Sequence, residues 1–274
     1  MQGQPTFFEV LTAAVADFAE HGYASERQLA EWMEQIRLAA ERDLVPPHVM
    51  EEELRSHLGA IYKRLVDSDG LLKTIPMDRF TWSRLKPSLR DELSKRITAS
   101  AALIKLNREE AISNTLRRFA GWATSIPEGG SPAVAKNPAK SDIRKALART
   151  PFEVRRCQTD QGHKLVASLH EVTAVGAGAI AAKWHHHYVR YPRRDHVARE
   201  GKIYLVRGSW AHEKGFVKPS AAGFYDQITK PGEEISCRCS ATYLMNLRQL
   251  PPEMLTDAGR AALAEARSRI AALR

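Results

Sequence analysis

Two thiols one residue apart, Cys237 and Cys239, flank Arg238, and well upstream of them lie three consecutive imidazoles, His185, His186 and His187, followed by His196 on an Arg-Arg-Asp-His step. Imidazole nitrogen and thiolate sulfur are the donors zinc prefers. A Cys-x-Cys pair can offer two ligands from one short segment. His196, with His185 or His187, would complete a tetrahedron if the thiol segment folds against the histidine segment. His185, His196, Cys237 and Cys239 are therefore the candidate metal ligands, with zinc as the candidate ion. The competing reading makes the cysteines small core side chains and the histidines locally hydrogen-bonded. The common Cys-x-x-Cys knuckle is missing, which favours that alternative.

The same stretch bears on catalysis and on nucleic acid. His-rich sequence beside Asp195 and Glu200 could place a divalent ion on a phosphate, with His as base. Against this, the clustered carboxylates of a two-metal site are not evident. Cys157 and His163 would point apart on a helix, so no nucleophile pair and no catalytic residue is assigned. Residues 185–220 hold eight basic side chains against three acidic ones, interleaved with Tyr188, Tyr191, Tyr204, Trp210 and Phe216. Cations neutralise phosphates and aromatic rings stack on unpaired bases. Arg190, Arg193, Arg194, Lys202 and Arg207 are the candidate DNA contacts. A solvated basic face over a small aromatic core explains the same pattern equally well.

Elements that could position these residues are legible in part. Phe7, Phe8, Leu11, Val15 and Phe18 fall at helical spacing, with Gly22 as a stop. Ser25 with Gln28 reads as a capping box, followed by the face Leu29, Trp32, Met33, Ile36 and Ala40. Pro46 and Pro47 interrupt the chain, and Leu54, Leu58, Ile61, Tyr62 and Leu65 make the next stripe, ending near Asp69-Gly70. Ser88 is expected to cap a long helix carrying Leu89, Leu93, Ile97, Leu103 or Ile104, Ile112, Leu116 and Phe119. Residues 126–141, rich in Pro and Gly, read as a linker or exposed tether. Thr150, Pro151 and Glu153 suit the N-cap, N1 and N3 of another helix, with Phe152, Cys157, Leu165, Leu169 and Val172 inward and Gly176 and Gly178 at its end. Three strands are expected: one in AIAAKWHHHYV with Trp184, His186 and Tyr188 on one face, one in GKIYLVRG, and one in EISCRCSATYL. The loop between the last two is long enough to contain further structure. Thr256 or Asp257 caps a final helix with Ala261, Leu263, Ala264, Ile270 and Leu273 as its apolar residues. The expected fold class is α+β: a helical region 1–125, the linker 126–141, a domain 142–245 with a short antiparallel sheet, and a C-terminal helical part 246–274.

The ordered set of motifs carries a resemblance. Trp184 closes one segment; Arg193-Arg194-Asp195-His196 forms an Arg-x-x-His step before the Gly201 turn and Lys202-Ile203-Tyr204; Pro231-Gly232 leads to Cys237-Arg238-Cys239. Over roughly residues 140 to 245 this resembles the phage Mu F-like head-morphogenesis family. The resemblance implies a minor head protein, held near the portal vertex, acting in capsid assembly and in DNA packaging or ejection. It implies portal, coat or scaffold protein as partners, double-stranded DNA nearby, and a location in the virion, reached through the host cytoplasm. Trp184, Arg194, His196, Gly201, Cys237, Arg238 and Cys239 are the family-motif residues, expected to organise the fold, with Arg238 free to pair with a carboxylate or phosphate. Some relatives carry a toxin or enzyme domain after the Cys-Arg-Cys element; one helix follows it here, so none is expected.

Composition agrees with that setting. The 274-residue chain has 43% hydrophobic and 27% charged residues, ordinary for a globular protein. Its 41 Lys and Arg against 32 Asp and Glu, a net charge of +9, favour anionic partners. Three cysteines make no secreted disulfide framework, and MQGQPTFFEV has no signal-peptide pattern, so a cytosolic protein is expected. No run reaches the roughly 20 apolar residues that span a bilayer, and no small-molecule substrate is indicated. The alternative from another class is a metal-dependent nuclease or DNA-modifying enzyme using the His/Cys cluster.

Overall fold

The computed structural model describes residues 4–131, 133–134, 136–188 and 190–272. The fold is α+β: mostly helix, with one three-stranded antiparallel sheet and a C-terminal helix. In chain order the helices are α1 (Phe7–His21), α2 (Glu26–Asp43), α3 (Pro47–Tyr62), α4 (Gly70–Thr74), α5 (Arg79–Ala123), α6 (Lys136–Ala148) and α7 (Thr150–Gly176). Then come β1 (Ala181–His185), α8 (Arg194–Ala198), β2 (Ile203–Leu205), α9 (Trp210–Glu213), β3 (Ser240–Leu244) and α10 (Asp257–Ala272). No described helix is long and apolar enough to cross a membrane.

The chain divides into two compact units, one of Met1–Arg55 and Thr98–Gln158, the other of Ser56–Ile97 and Thr159–Arg274. This corrects the expected boundaries at 125 and 142. Helices α3, α5 and α7 each contribute residues to both units, and an apolar stripe identifies a helix without saying where along it the neighbours change.

In the first unit, Leu11, Val15 and Phe18 of α1 pack with Ile36 of α2, Phe119 of α5 and Ile143 of α6. Thr6 caps α1 through a full capping box with Glu9. Ser25 caps α2 by accepting from Gln28 N at 3.2 Å, but the Gln28 side chain takes the Ala24 N–H, so the expected box is only half formed. Phe8 lies half exposed beneath Lys140 and Arg144. The expected tether is not one: Gly129 N and Ser131 N bond to His21 O and Ala19 O, and α6 already begins at Lys136, with Pro138 in its first turn where no N–H is needed. Thr150 does not cap α7. It is the first helical residue, its hydroxyl is buried without a partner, and Phe152 is exposed rather than inward.

In the second unit, α5 starts nine residues before the expected Ser88 cap, behind Asp78, whose carboxylate accepts from Thr81 N at 2.8 Å. Pro87 is tolerated inside the helix on its exposed side, and Ser88 donates to Leu85 O instead of capping. Of the two expected alternatives on this helix, Ile104, in the first unit, is buried and Leu103 is exposed. The sheet order is β2-β1-β3, with Trp184 opposite Ala241 and Ala182 opposite both Tyr204 and Tyr243. One face, with Ala181, Leu205 and Leu244, packs on Val217, Leu250 and Met254. The other, with Ala182, Trp184 and Tyr204, packs on Tyr225, Cys237 and Cys239. Both faces are covered, which is why β1 is built of small and apolar residues.

Two strands are shorter than expected. β1 ends at His185, because the Glu200 carboxylate takes the His186 N–H and turns the chain out of the sheet. His186 and Tyr188 therefore do not continue the Trp184 face; Val189 lies outside the described residues. β3 begins only at Ser240, so Glu234 to Cys239 is a turn and not a strand. The long loop holds α9, a 3-10 turn at Tyr225–Gln227, and bridges from Leu205 to Phe224 and Val217 to Leu255. Thr256 caps α10 by accepting from Gly259 N at 3.1 Å. Ala261, Ala264 and Ile270 are exposed on α10, and Leu263 is half-buried; Leu273 lies outside the described residues.

Candidate metal centre

The centre lies in the second unit, where three chain segments converge. Trp184 comes from β1, His196 from α8, and Cys237 and Cys239 from the turn ahead of β3. His196 is buried, and its Nδ1 lies 3.6 Å from each of the two sulfurs. These three ligand atoms lie within 4.8 Å of one another, so the His/Cys/Cys cluster can hold a metal ion. On its other side, His196 Nε2 meets Glu234 Oε1 at 3.2 Å and Asp195 Oδ2 at 3.7 Å. One nitrogen thus faces sulfur and the other faces carboxylate.

Local backbone features explain the convergence. Gly201, at φ +73°, lets its N–H reach Trp184 O, while Trp184 N donates to Lys202 O. These bonds bring α8 back over the end of β1. Pro231-Gly232 opens the thiol turn. Gly232 has φ +84°, a Cβ there would sit 2.9 Å from the Ala167 Cβ, and its N–H donates to Cys237 Sγ at 3.4 Å. Ser236 holds a left-handed conformation, φ +59°, that a residue with a Cβ seldom adopts. Its N–H is fixed on the Asp160 carboxylate. Cys237 follows this turn, and Cys237 and Cys239 both face His196.

Electrostatics reinforce the geometry. The Cys237 thiol is held well below the ordinary thiol range because Cys239 donates its S–H to it; burial works against this, and the Gly232 and Cys239 N–H groups and His196 add to it. Cys239, which keeps the proton, is driven upward by the same bond and by burial. Burial would raise the Glu234 carboxyl, yet hydrogen bonds from His196 and Thr229 and the nearby Arg193 hold it below the usual carboxylate range. The Trp184 indole is buried edge-on to the His196 ring, 5.3 Å between centroids. Its N–H makes no hydrogen bond of full geometry, and Cys239 Sγ is the acceptor within its reach.

Three of the four candidate ligands are brought together and the fourth is not. His185 follows Trp184 in β1, so the alternation of the strand sends it to the opposite face, where Nε2 contacts Thr242 Oγ1 at 2.9 Å and Nδ1 lies 3.7 Å from Glu200. His187 stays nearer, on the rim of a pocket beside the thiols, bonded to Ser240 Oγ at 3.0 Å. Among the motif residues, Arg194 is exposed on α8, and Arg238 is exposed with no hydrogen-bond or ion-pair partner among the described residues. The candidate DNA contacts scatter. Arg190 and Arg193 line the pocket, whereas Arg207 is tied to Asp226 at 2.7 Å and Lys202 is exposed. Sequence reasoning missed the roles of Glu234 and Asp160. Glu234 sits in the Gly-Glu-Glu run just ahead of the thiols, a signal that was legible; Asp160, on α7, had none. No family model, curated protein or solved structure matches this chain.

Proposed function

We propose that the chain is a minor head protein of the Mu F-like kind, a structural part of a phage or prophage head in which a zinc ion ties the C-terminal unit together. One observation carries this reading: the three motif segments on which the resemblance rests, far apart in sequence, end on one buried cluster of Trp184, His196, Cys237 and Cys239.

Zinc fits the donor set. Zn–S of about 2.3 Å and Zn–N of about 2.0–2.1 Å at a tetrahedral angle give an N···S separation of about 3.6 Å. Both Nδ1···Sγ separations are 3.6 Å. The carboxylate on Nε2 is what a metal-bound histidine ordinarily requires, since it fixes the tautomer with Nδ1 free to ligate. A metal-held thiolate at Cys239 would also accept the otherwise unbonded Trp184 N–H. His196, Cys237 and Cys239 would hold the ion, which supplies a cross-link between segments that a small sheet alone holds weakly.

The role in assembly predicts where the protein is found. Particles induced from a host carrying the gene and purified by density should contain this chain in low copy, and its deletion should lower the yield of infectious heads. Its absence from particles, with infectivity unchanged on deletion, rules the reading out. A metal-dependent nuclease or DNA-modifying enzyme is favoured by one observation, the approach of Asp195, His196 and Glu234 to within 4.8 Å of one another. Supercoiled plasmid left intact with Mg²⁺, Mn²⁺ and Zn²⁺ excludes it.

A further inference from the structure

We propose that the basic pocket beside the thiol pair is a binding site for single-stranded nucleic acid, gripping phosphates with arginine and stacking bases on tyrosine. The pocket has a volume of about 620 Å³, and its described lining includes Arg190, Arg193 and Arg238 but no carboxylate. Such a surface is complementary to a polyanion.

The cations differ in what already occupies them. Arg193 is committed to Glu234 at 2.8 Å and to the Ile235 carbonyl. Arg238 has no partner among the described residues, and Arg190 only lies over the Tyr191 ring, 5.4 Å from its centroid. Two guanidiniums are therefore open to phosphate oxygens, which they can meet bidentately. Tyr188 and Tyr191 are 89% and 81% exposed on the same rim. Neither ring is buried by the fold, and among the described residues the one cation over a ring here is Arg190 on Tyr191. A base stacked on each ring, with its phosphate on the neighbouring arginine, supplies the missing contact.

A single strand fits better than a duplex, because a duplex keeps its base faces stacked inside and offers the tyrosines nothing. The site differs from the basic stretch as a whole: Lys202 and Arg207 lie outside the pocket lining, and Arg238 joins from the thiol turn. The proposal does not depend on whether the thiols hold zinc, since none of the groups that grip the strand is a ligand.

The test is fluorescence anisotropy of the full chain with a labelled oligothymidylate at low salt. Wild-type protein should bind it and prefer it to a blunt duplex of equal length. Arg190→Ala with Arg238→Ala should weaken binding about tenfold or more and make the plot of log affinity against log salt shallower by roughly 0.7 for each phosphate contact removed. Tyr191→Ala should weaken it about fivefold or more. Arg248→Ala, outside the pocket lining, should leave it unchanged. All four side chains are exposed, so the variants should retain the wild-type circular dichroism and melting. Equal binding of the duplex, unaltered affinity in the pocket variants, or displacement of the strand by polyglutamate as effectively as by unlabelled strand would each overturn the proposal, the last by assigning the pocket to an acidic protein partner.

Discussion

His196 illustrates how much one side chain can be asked to do. Its ring is buried with Nδ1 toward two sulfurs and Nε2 toward Glu234, so neither nitrogen is left to water. In the proposed metal site Glu234 would act through His196 and not on the ion, a positioning role with a measurable signature. Glu234→Ala should lower zinc affinity about 10–100-fold in competition with a chromophoric chelator, while the far-ultraviolet dichroism is kept. Unchanged affinity in a folded variant would show that the carboxylate serves only local structure. At this scale the sequence was informative about donor chemistry and poor about direction. Residue types made His196, Cys237 and Cys239 candidate ligands, and the fold brings these three together. His185 looked equivalent to its neighbours until the alternation of β1 placed it across the sheet from the sulfurs.

The elements that were legible are those with a local physical cause. Helix α1 shows an unbroken apolar stripe, a Thr6 cap and a glycine stop, and it folds as its pattern demands. Gly22 is required there twice over: its φ is +74°, and a Cβ would meet the Pro127 carbonyl oxygen at 1.8 Å. Gly22→Ala should therefore destabilise the chain by more than about 2 kcal/mol in denaturant unfolding, beyond the usual glycine-to-alanine effect at a left-handed position. A loss under about 0.5 kcal/mol would mean that the Pro127–Ser131 segment does not rest on the end of α1. That docking is also why the Pro- and Gly-rich stretch was misread. Its composition is that of a linker, and the backbone bonds that seat it join residues more than a hundred positions apart. Helix α5 was misread for the opposite reason. Pro87 and Ser88 resemble a helix start, but the cap that operates is Asp78, and the long helix continues through Pro87 although that proline gives up a backbone bond and crowds the carbonyl four residues before it. The thiol segment failed as a strand because Ser236 adopts a positive φ, which no residue type at that position announces.

At the scale of the molecule, fold class was readable and domain division was not. Apolar periodicity in the first half and alternation in the second suffice for α+β. The division into units follows from long helices that change neighbours midway, which composition does not record. The proposed function rests on the second unit, in which Trp184, His196 and the two thiols lie together against one face of a small sheet. A metal cross-link is the economical way to hold such a site, and the head-protein reading and the motif order both lean on that convergence. The metal content of the purified chain, by elemental analysis after extensive dialysis, tests this most directly. The wild-type chain should carry about one zinc, and Cys239→Ser or His196→Ala little or none. Wild-type protein that is folded and free of metal, or variants that keep the same zinc, would contradict the metal cross-link.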